Sequence, residues 1–279
     1  MTTDLAPLLA AAGANDLAYE DPAWPGRRLW LRSARPRRCT PDTPVLFVHH
    51  GVNRNGGDYR DFWLPLVDTA DLLVIAPEFP TEGFPGSHWY NFGNRTHPDG
   101  SPKPRGEWTY CLDHRLFALF QAQGHTQRKS YGMFGHSAGG QFVHRAISLG
   151  FDVDVAAAVS ANAGTYAMPV LDIGFPYGLG GTDTEATLMR LLAFPLTVMA
   201  GTADIETGKN FPKEPAAMLQ GPTRYARAHR YVETARASAA HLNTQCAWSI
   251  TDVPNVGHDG ERMSGAAAPL LSKALAAAT

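Results

Sequence analysis

The chain has 279 residues, of which 44% are hydrophobic and 18% charged, and a formal net charge of −2. Its length allows one large core, and without a basic excess it gives no support for binding nucleic acid or an anionic membrane. No apolar run approaches the roughly 20 residues that span a bilayer. Residues 1–16 contain no Lys or Arg and lack the pattern of a secretory signal, so we expect a short helix or loose arm there and a cytoplasmic protein.

Short apolar runs alternate with segments of helical spacing along the chain. The apolar runs predict strands at residues 28–32, 45–48, 72–76, 130–134, 153–160, 194–200 and 246–253. Helices are predicted at residues 58–67, 110–123, 141–149, 184–192, 222–242 and 261–278. This alternation predicts an α/β fold: a mostly parallel central sheet with helices on both faces, in a single domain over residues 1–279.

Two segments interrupt this alternation. Residues 81–108 have no periodicity, are rich in Gly, Pro, Asn and aromatic residues, and leave a strand at the end where such sheets bind ligands. We predict that they form one wall of a substrate pocket; the alternative is an ordered loop that only covers the sheet edge. Residues 161–193 are predicted to form a small cap insertion, with a solvent-facing excursion as the alternative.

The residues around the central strand predict a nucleophilic serine. Residues 135–139 read Gly-His-Ser-Ala-Gly and match G-x-S-x-G, which needs a strand before it and a helix after it. The small residues leave room for a sharp turn that presents the Ser137 hydroxyl. The amide of Ala138 then lies at a helix N-terminus, which favours a developing oxyanion. The alternative is a serine that caps an ordinary strand-to-helix turn.

A second oxyanion donor is predicted after the strand at residues 45–48. That strand leads into His49, His50 and Gly51, and the glycine allows the next amide, that of Val52, to face the site. The alternative is a plain exit from the strand. The two adjacent histidines have no carboxylate or cysteine at a suitable spacing, so we expect no metal site.

Ser137 needs a base and an acid, which the chain supplies in the order Ser137, Asp204, His258. A histidine can take the serine proton, and a carboxylate orients and stabilises the imidazolium. Each of the three follows a predicted strand, so all should meet at one edge of the sheet. The alternative candidates for the acid are Asp172, Asp183 and Asp252, and those for the base are His229 and His241.

These motifs show that the chain resembles the α/β-hydrolase fold family from about residue 28 to its C-terminus. It is most similar to the bacterial esterase and polyhydroxyalkanoate-depolymerase-like branch, on the Gly-His-Ser-Ala-Gly-Gly sequence at residues 135–140 and the general layout. The segment 81–108 is longer than in compact members of the family. Because the family hosts many chemistries, the resemblance leaves the substrate open.

The expected activity is hydrolysis of a carboxylic ester through an acyl-enzyme on the Ser137–His258–Asp204 triad. The alternatives are a peptidase or amidase, a thioester or C–C bond hydrolase on the same triad, and a ligand-binding module without activity. We expect a small-molecule or oligomeric ester as substrate and no cofactor. The candidate substrate-binding residues suggest an apolar or aromatic pocket and are His136, Trp89, Tyr90, Asn91 and Tyr166.

The three cysteines are Cys39, Cys111 and Cys246. They are odd in number and widely separated, so they predict neither a metal site nor a disulfide framework. We expect small buried hydrophobes or idle thiols.

Overall fold

The computed structural model describes residues 3–278. Its strands are β1 Gly13–Glu20, β2 Arg28–Arg35, β3 Val45–His49, β4 Leu73–Glu78, β5 Tyr131–His136, β6 Val155–Ala161, β7 Leu196–Gly201 and β8 Ser249–Val253. Its α-helices are α1 Gly56–Trp63, α2 Val67–Ala70, α3 Leu112–Ala122, α4 Ala138–Ser148, α5 Glu185–Ala193, α6 Pro215–Met218, α7 Arg224–His241 and α8 Gly260–Ala277. Short 3₁₀ helices cover Ala6–Leu9, Arg105–Glu107 and Thr109–Cys111. Over this described range, no helix has both the length and the apolar character needed to cross a membrane.

The strands form one sheet in the order β1-β2-β4-β3-β5-β6-β7-β8. Strands β3 to β8 pair in parallel, while β2 runs antiparallel to both β1 and β4. The predicted mostly parallel sheet is confirmed. Because parallel strands need crossover connections, their carboxyl ends all meet at one edge, and the loops that follow them gather there.

Helices cover both faces of the sheet, as predicted. Helices α1, α2 and α8 pack on one face, and α3, α4, α5 and α7 on the other. This double cover explains why β3 and β5 are buried along their whole length and read as apolar runs. Every residue of α4 is also buried, so the helix behind the predicted nucleophile lies within the core.

The N-terminal prediction is wrong in part. Residues Gly13–Glu20 form the edge strand β1, which pairs antiparallel along all of β2. This segment carries few large apolar residues and half of its residues are exposed, so it shows no core pattern, and long-range pairing decides its structure. The residues before it are not a loose arm, because Leu5 and Leu8 are both fully buried.

Several other boundaries differ from the predictions. The helix predicted at 58–67 ends at Trp63 and is followed by the separate helix α2. The last strand begins at Ser249 and not at residue 246. Helix α6, Pro215–Met218, is four residues long and was not predicted, because so short a segment has no detectable period.

Both long segments are anchored to the same buried arginine on α4. The guanidinium of Arg145 donates to the carbonyl of Asn91 at 3.4 Å, in segment 81–108. It also donates to Thr165 Oγ1 and the Pro176 carbonyl, each at 3.1 Å, in segment 161–193. The side chain of Gln141 accepts from it at 2.7 Å. A side chain behind the nucleophile therefore holds the two segments together.

Candidate active site

Ser137 occupies a strained turn between β5 and α4. Its backbone has φ 58° and ψ −117°, a region that residues other than glycine rarely adopt and that costs on the order of 1–3 kcal/mol. The amide of Ser137 donates to the carbonyl of Ala161 at 3.0 Å, which ties the turn to β6. The surrounding core holds the strained conformation in place and presents the hydroxyl beyond the sheet edge.

The glycines on either side of Ser137 are required by space. A Cβ on Gly135 would lie 2.1 Å from the carbonyl oxygen of Gly139. A Cβ on Gly139 would lie 2.0 Å from the carbonyl oxygen of His49. Strands β3 and β5 and helix α4 thus approach one another too closely for any side chain at either position.

The structure joins the three predicted triad side chains by hydrogen bonds. His258 Nε2 lies 2.9 Å from Ser137 Oγ, and His258 Nδ1 lies 2.8 Å from Asp204 Oδ2. Asp204 is 1% exposed, whereas the imidazole of His258 is about one-third exposed. A hydroxyl, an imidazole and a buried carboxylate in series can transfer the serine proton to the histidine.

Two further residues hold the loops that carry the acid and the base. Asn162, at the end of β6, donates to the carbonyl of Gly257 at 3.0 Å and accepts from the amide of Gly201 at 2.8 Å. Arg224 Nη1 lies 3.4 Å from the second carboxylate oxygen of Asp204. One amide and one guanidinium therefore brace the Asp204 and His258 loops at the sheet edge.

The amides of Val52 and Ala138 are positioned as the sequence predicted, at the end of β3 and at the start of α4. Within residues 3–278 neither amide has a hydrogen-bond acceptor. Val52 also borders a cavity that contains Ser137. Two such N–H groups beside a serine hydroxyl are suited to bind a developing oxyanion, and their role in doing so remains a prediction.

The cavity beside Ser137 has a volume of about 170 Å³. Its polar walls are the side chains of Asn53, Asn55, Tyr59 and Asn210, with Phe62 beside them. The space is small, and among the described residues its lining carries no acidic, lysine or arginine side chain.

His136 lies against His258. Its ring centroid is 4.6 Å from that of His258, and its Nδ1 lies 2.8 Å from the hydroxyl of Tyr59. Burial, then the charges of His258 and Arg224, hold the pKa of His136 well below its usual value, so this ring is neutral at pH 7. His136 borders the cavity as a neutral support for His258.

The prediction that the long segments supply the pocket wall is wrong for Tyr90, Asn91 and Tyr166. All three are buried: Tyr90 donates to the carbonyl of His50, and Asn91 donates to Gln141. Tyr166 stacks on Tyr231 at 4.3 Å. No residue of 81–108 or 161–193 borders the cavity, because their aromatic side chains pack inward against the core.

Trp89, the remaining candidate, packs against Phe84 of its own segment and also lies away from the cavity. The guanidinium of Arg27 lies 4.1 Å from its ring centroid and the ammonium of Lys103 lies 4.6 Å from it. These cation–π contacts hold the indole on the outer side of the core.

The nitrogens of the adjacent histidines are all engaged or enclosed. His49 Nε2 lies 2.7 Å from Asp113 Oδ2 in the core. His50 Nε2 accepts from the amide of Phe79 at 3.1 Å, so its Nδ1 carries the proton and donates to Gly51 at 2.9 Å. Burial lowers the pKa of His50 to about 3. Over residues 3–278, no three His, Cys, Asp or Glu side chains form a group that could hold a metal.

Several site residues escaped the sequence analysis. Tyr59, Asn53, Asn210, Asn162 and Arg224 belong to no motif, and each reaches the site from a different loop or helix. A sequence signal existed only for Asn53, which directly follows Val52. The others are brought together by tertiary packing alone.

Known structures match the whole chain. LpqC, a poly(3-hydroxybutyrate) depolymerase from Bordetella parapertussis, is 44% identical; the match covers 95% of this chain and 92% of that one, with a TM-score of 0.90. Poly(aspartic acid) hydrolase-1 from Sphingomonas sp. KT-1 is 37% identical over 93% of this chain and 98% of that one, with a TM-score of 0.87. FphF, a fluorophosphonate-binding serine hydrolase of Staphylococcus aureus, is 16% identical over 95% and 99%, with a TM-score of 0.63, and shows the fold alone.

No protein-family model and no curated protein sequence matches the chain. The two structures above 30% identity nevertheless extend over nearly the full length of both partners. Together with the eight-stranded sheet and the strained serine turn, they confirm the predicted resemblance. The chain belongs to the α/β-hydrolase family of serine hydrolases, in the group that includes LpqC and poly(aspartic acid) hydrolase-1.

Proposed function

We propose that this protein hydrolyses carboxylic esters of short acyl groups, with Ser137 as nucleophile. The observation that carries the proposal is the hydrogen-bonded series Ser137–His258–Asp204, with distances of 2.9 and 2.8 Å. His258 takes the serine proton as Ser137 attacks the carbonyl carbon, and then returns it to the leaving alcohol. Asp204 holds the imidazole with its Nδ1 protonated, so that Nε2 is free to act as the base.

The amides of Val52 and Ala138 are proposed to bind the oxyanion of each tetrahedral intermediate. Neither amide has another acceptor among residues 3–278, so both are available without rearrangement. One donor of this kind lowers the barrier by about 3 kcal/mol. Water, activated by His258, then hydrolyses the acyl-enzyme.

The proposed substrate is a small or oligomeric ester. The cavity of about 170 Å³ favours acyl chains of about two to four carbons over long ones. LpqC is described as a poly(3-hydroxybutyrate) depolymerase, and oligoesters of short hydroxy acids present acyl groups of this size. Such oligomers are therefore the first polymeric substrates to test.

An amide is the second candidate bond, because poly(aspartic acid) hydrolase-1 is 37% identical. The cavity walls argue against a polyanion: no Lys or Arg among the described residues lines them. Turnover of ester oligomers and of poly(aspartic acid) by the same enzyme distinguishes ester from amide hydrolysis. Turnover of poly(aspartic acid) alone would contradict the ester proposal.

The deciding experiment is hydrolysis of a p-nitrophenyl ester series from acetate to a long acyl chain by wild type and Ser137→Ala. We expect activity to be highest at two to four carbons and to be lost in Ser137→Ala, with an unchanged melting temperature. Ser148→Ala is the matched control, since Ser148 is a buried serine on α4 that donates only to the carbonyl of His144. Full activity in Ser137→Ala would contradict the proposal.

A cytoplasmic location is also proposed. It is supported by the cysteines, since Cys39, Cys111 and Cys246 are all free, and unpaired thiols are typical of reducing compartments. Fractionation of the source cells with an antibody to the protein tests it, and recovery of the protein outside the cell would contradict it.

A further inference from the structure

Arg224 lies between the triad carboxylate and the wall of the cavity. We propose that Arg224 is a positioning residue that orients the triad carboxylate toward His258 and fixes the Asn210 side of the cavity. The inference rests on the proposed function, because it assigns Arg224 a role in the same reaction.

The first contact is with the acid of the triad. The two carboxylate oxygens of Asp204 are divided between two partners: Oδ2 faces His258 at 2.8 Å and Oδ1 faces Arg224 Nη1 at 3.4 Å. Arg224 and Asp204 are both nearly inaccessible to solvent. The pair is thus little screened, and the guanidinium holds the carboxylate in the orientation that meets the imidazole.

The second set of contacts is with the loop at residues 205–210. Arg224 Nη1 lies 3.5 Å from the carbonyl of Glu206, and Nη2 donates to the carbonyl of Asn210 at 3.1 Å. Asn210 borders the cavity. Arg224 therefore holds both ends of the stretch that supplies one side of the cavity.

The position of Arg224 is itself fixed by α7. The side chain of Thr223 caps the helix by accepting from the amide of Ala226 at 3.1 Å. The amide of Tyr225 donates to the carbonyl of Asp204 at 3.3 Å, and the guanidinium packs 5.3 Å from the ring centroid of Phe211. The start of α7 and the acid loop therefore form one unit.

Arg224 supplies the positive charge that faces the buried carboxylate of Asp204. The other titratable groups around His258 are Asp204, His136 and the adjacent Asp259, with Tyr59 behind His136. Burial keeps His136 neutral and raises the pKa of Tyr59, so Arg224 is the cation that balances the carboxylate of Asp204. Without it, Asp204 would be a buried carboxylate with no cation beside it, and its orientation toward the imidazole would no longer be fixed.

The test compares Arg224→Met, Arg224→Gln and Arg224→Lys with wild type. The rate of Ser137 labelling by a fluorophosphonate, and kcat and KM for p-nitrophenyl acetate, are measured from pH 5 to 9. In the two uncharged variants we expect kcat and the labelling rate to fall by about tenfold or more, because the carboxylate no longer has a fixed orientation. Arg224→Lys should restore most of both. All three should raise KM, because the Asn210 loop loses its anchor.

Arg227→Met is the matched control. Arg227 lies about one turn further along α7 and is fully buried, but its guanidinium binds the carbonyls of Gly221, Gly164 and Pro212 and no carboxylate. Its loss should lower the melting temperature and leave kcat and the labelling rate near wild type. An unchanged kcat and labelling rate in Arg224→Met or Arg224→Gln overturns the inference, and an equal loss in Arg224→Lys overturns the role of charge. If Arg224→Met does not fold, the comparison of Arg224→Gln with Arg224→Lys tests the inference.

The two proposals fail in different ways. Wild-type enzyme whose Ser137 is not labelled at any pH would overturn both. Wild-type enzyme that is labelled, with the same kcat and labelling rate in all variants, would overturn only the role of Arg224.

Discussion

Ser137 shows at the scale of a single residue how packing holds a strained conformation. Its φ of 58° would be relieved if the turn could open, but β3 and α4 close on it from both sides. The gap between the Gly139 backbone and the carbonyl of His49 leaves no room for a methyl group. The core therefore presents the Ser137 hydroxyl, and small flanking residues are a condition for this.

Replacing Gly139 with Ala should disrupt this turn. The new Cβ would lie 2.0 Å from the His49 carbonyl oxygen and 2.8 Å from that of His50, so β3 and α4 must separate. We expect a loss of more than about 2 kcal/mol in the free energy of unfolding and a fall in kcat/KM of about 100-fold or more, measured by urea denaturation and ester turnover.

Gly265→Ala is the control for that change. Gly265 lies on an exposed face of α8 with nothing within 4 Å of the added Cβ, so alanine should stabilise the helix by up to about 1 kcal/mol. Wild-type stability and turnover in Gly139→Ala would show that the turn is not as tightly enclosed as the structure indicates.

Helix α4 links several parts of the molecule. Its first residue supplies a candidate oxyanion donor, and its buried Arg145 binds both long segments. Burial lowers the pKa of Arg145 to about 10, which leaves it charged at pH 7. Its Nη1 and Nη2 donate to uncharged acceptors, and the rings of Phe92 and Phe175 lie 4.9 and 5.9 Å from the guanidinium.

Arg145→Met should therefore loosen two segments at once. Four acceptors would each lose one donor, and we expect a loss of about 3 kcal/mol in the free energy of unfolding, measured in urea. Since neither segment borders the cavity, kcat/KM for p-nitrophenyl acetate well below the melting temperature should remain near wild type. Arg37→Met, at a side chain that is 86% exposed and paired with Asp68, should cost less than about 1 kcal/mol. A large rise in KM in Arg145→Met, with the stability of wild type, would indicate that segments 81–108 and 161–193 do contact the substrate.

The whole molecule should be sensitive to acid because of its buried neutral histidines. Burial holds the pKa of His136 and His144 well below the usual value and that of His50 at about 3. In His144, Nε2 accepts from the amide of Ala167 at 3.0 Å and Nδ1 faces the carbonyl of Gly140 at 2.9 Å. Protonation of Nε2 would break the contact between α4 and segment 161–193.

The sign of the pH effect follows from these lowered values. Below about pH 6.5 the unfolded chain binds protons at these histidines and the folded chain does not. Stability is thus present at pH 7 and decreases as pH falls, by up to about 1.4 kcal/mol per pH unit for each histidine. Urea denaturation at pH 7 and pH 5 should show this decrease.

His144→Gln should reduce that decrease by about 2 kcal/mol, because one buried histidine no longer titrates on unfolding. The exposed His97, in the segment 81–108, supplies the control variant His97→Gln, which should behave as wild type. An equal pH dependence in His144→Gln and wild type would show that His144 does not contribute to acid sensitivity.

The parallel sheet, the turn at Ser137 and the grouping of Ser137, Asp204 and His258 could be predicted from the amino-acid sequence. These features follow from local patterns: apolar runs mark buried strands, and residues after strand ends must meet at one edge of a parallel sheet. Because of that geometry, Ser137 could be grouped with Asp204, 67 residues later, and with His258, a further 54 residues along the chain.

The side chains that surround Ser137 could be identified from the tertiary structure alone. The aromatic residues of segment 81–108 were expected at the pocket, but Tyr90 packs into the core and donates to a backbone carbonyl. Arg224 and Asn210 come to the site from α7 and the loop before α6. The type of a residue indicates whether its side chain can be buried or can bind a ligand. The direction of that side chain depends on long-range packing, which no local sequence pattern reports.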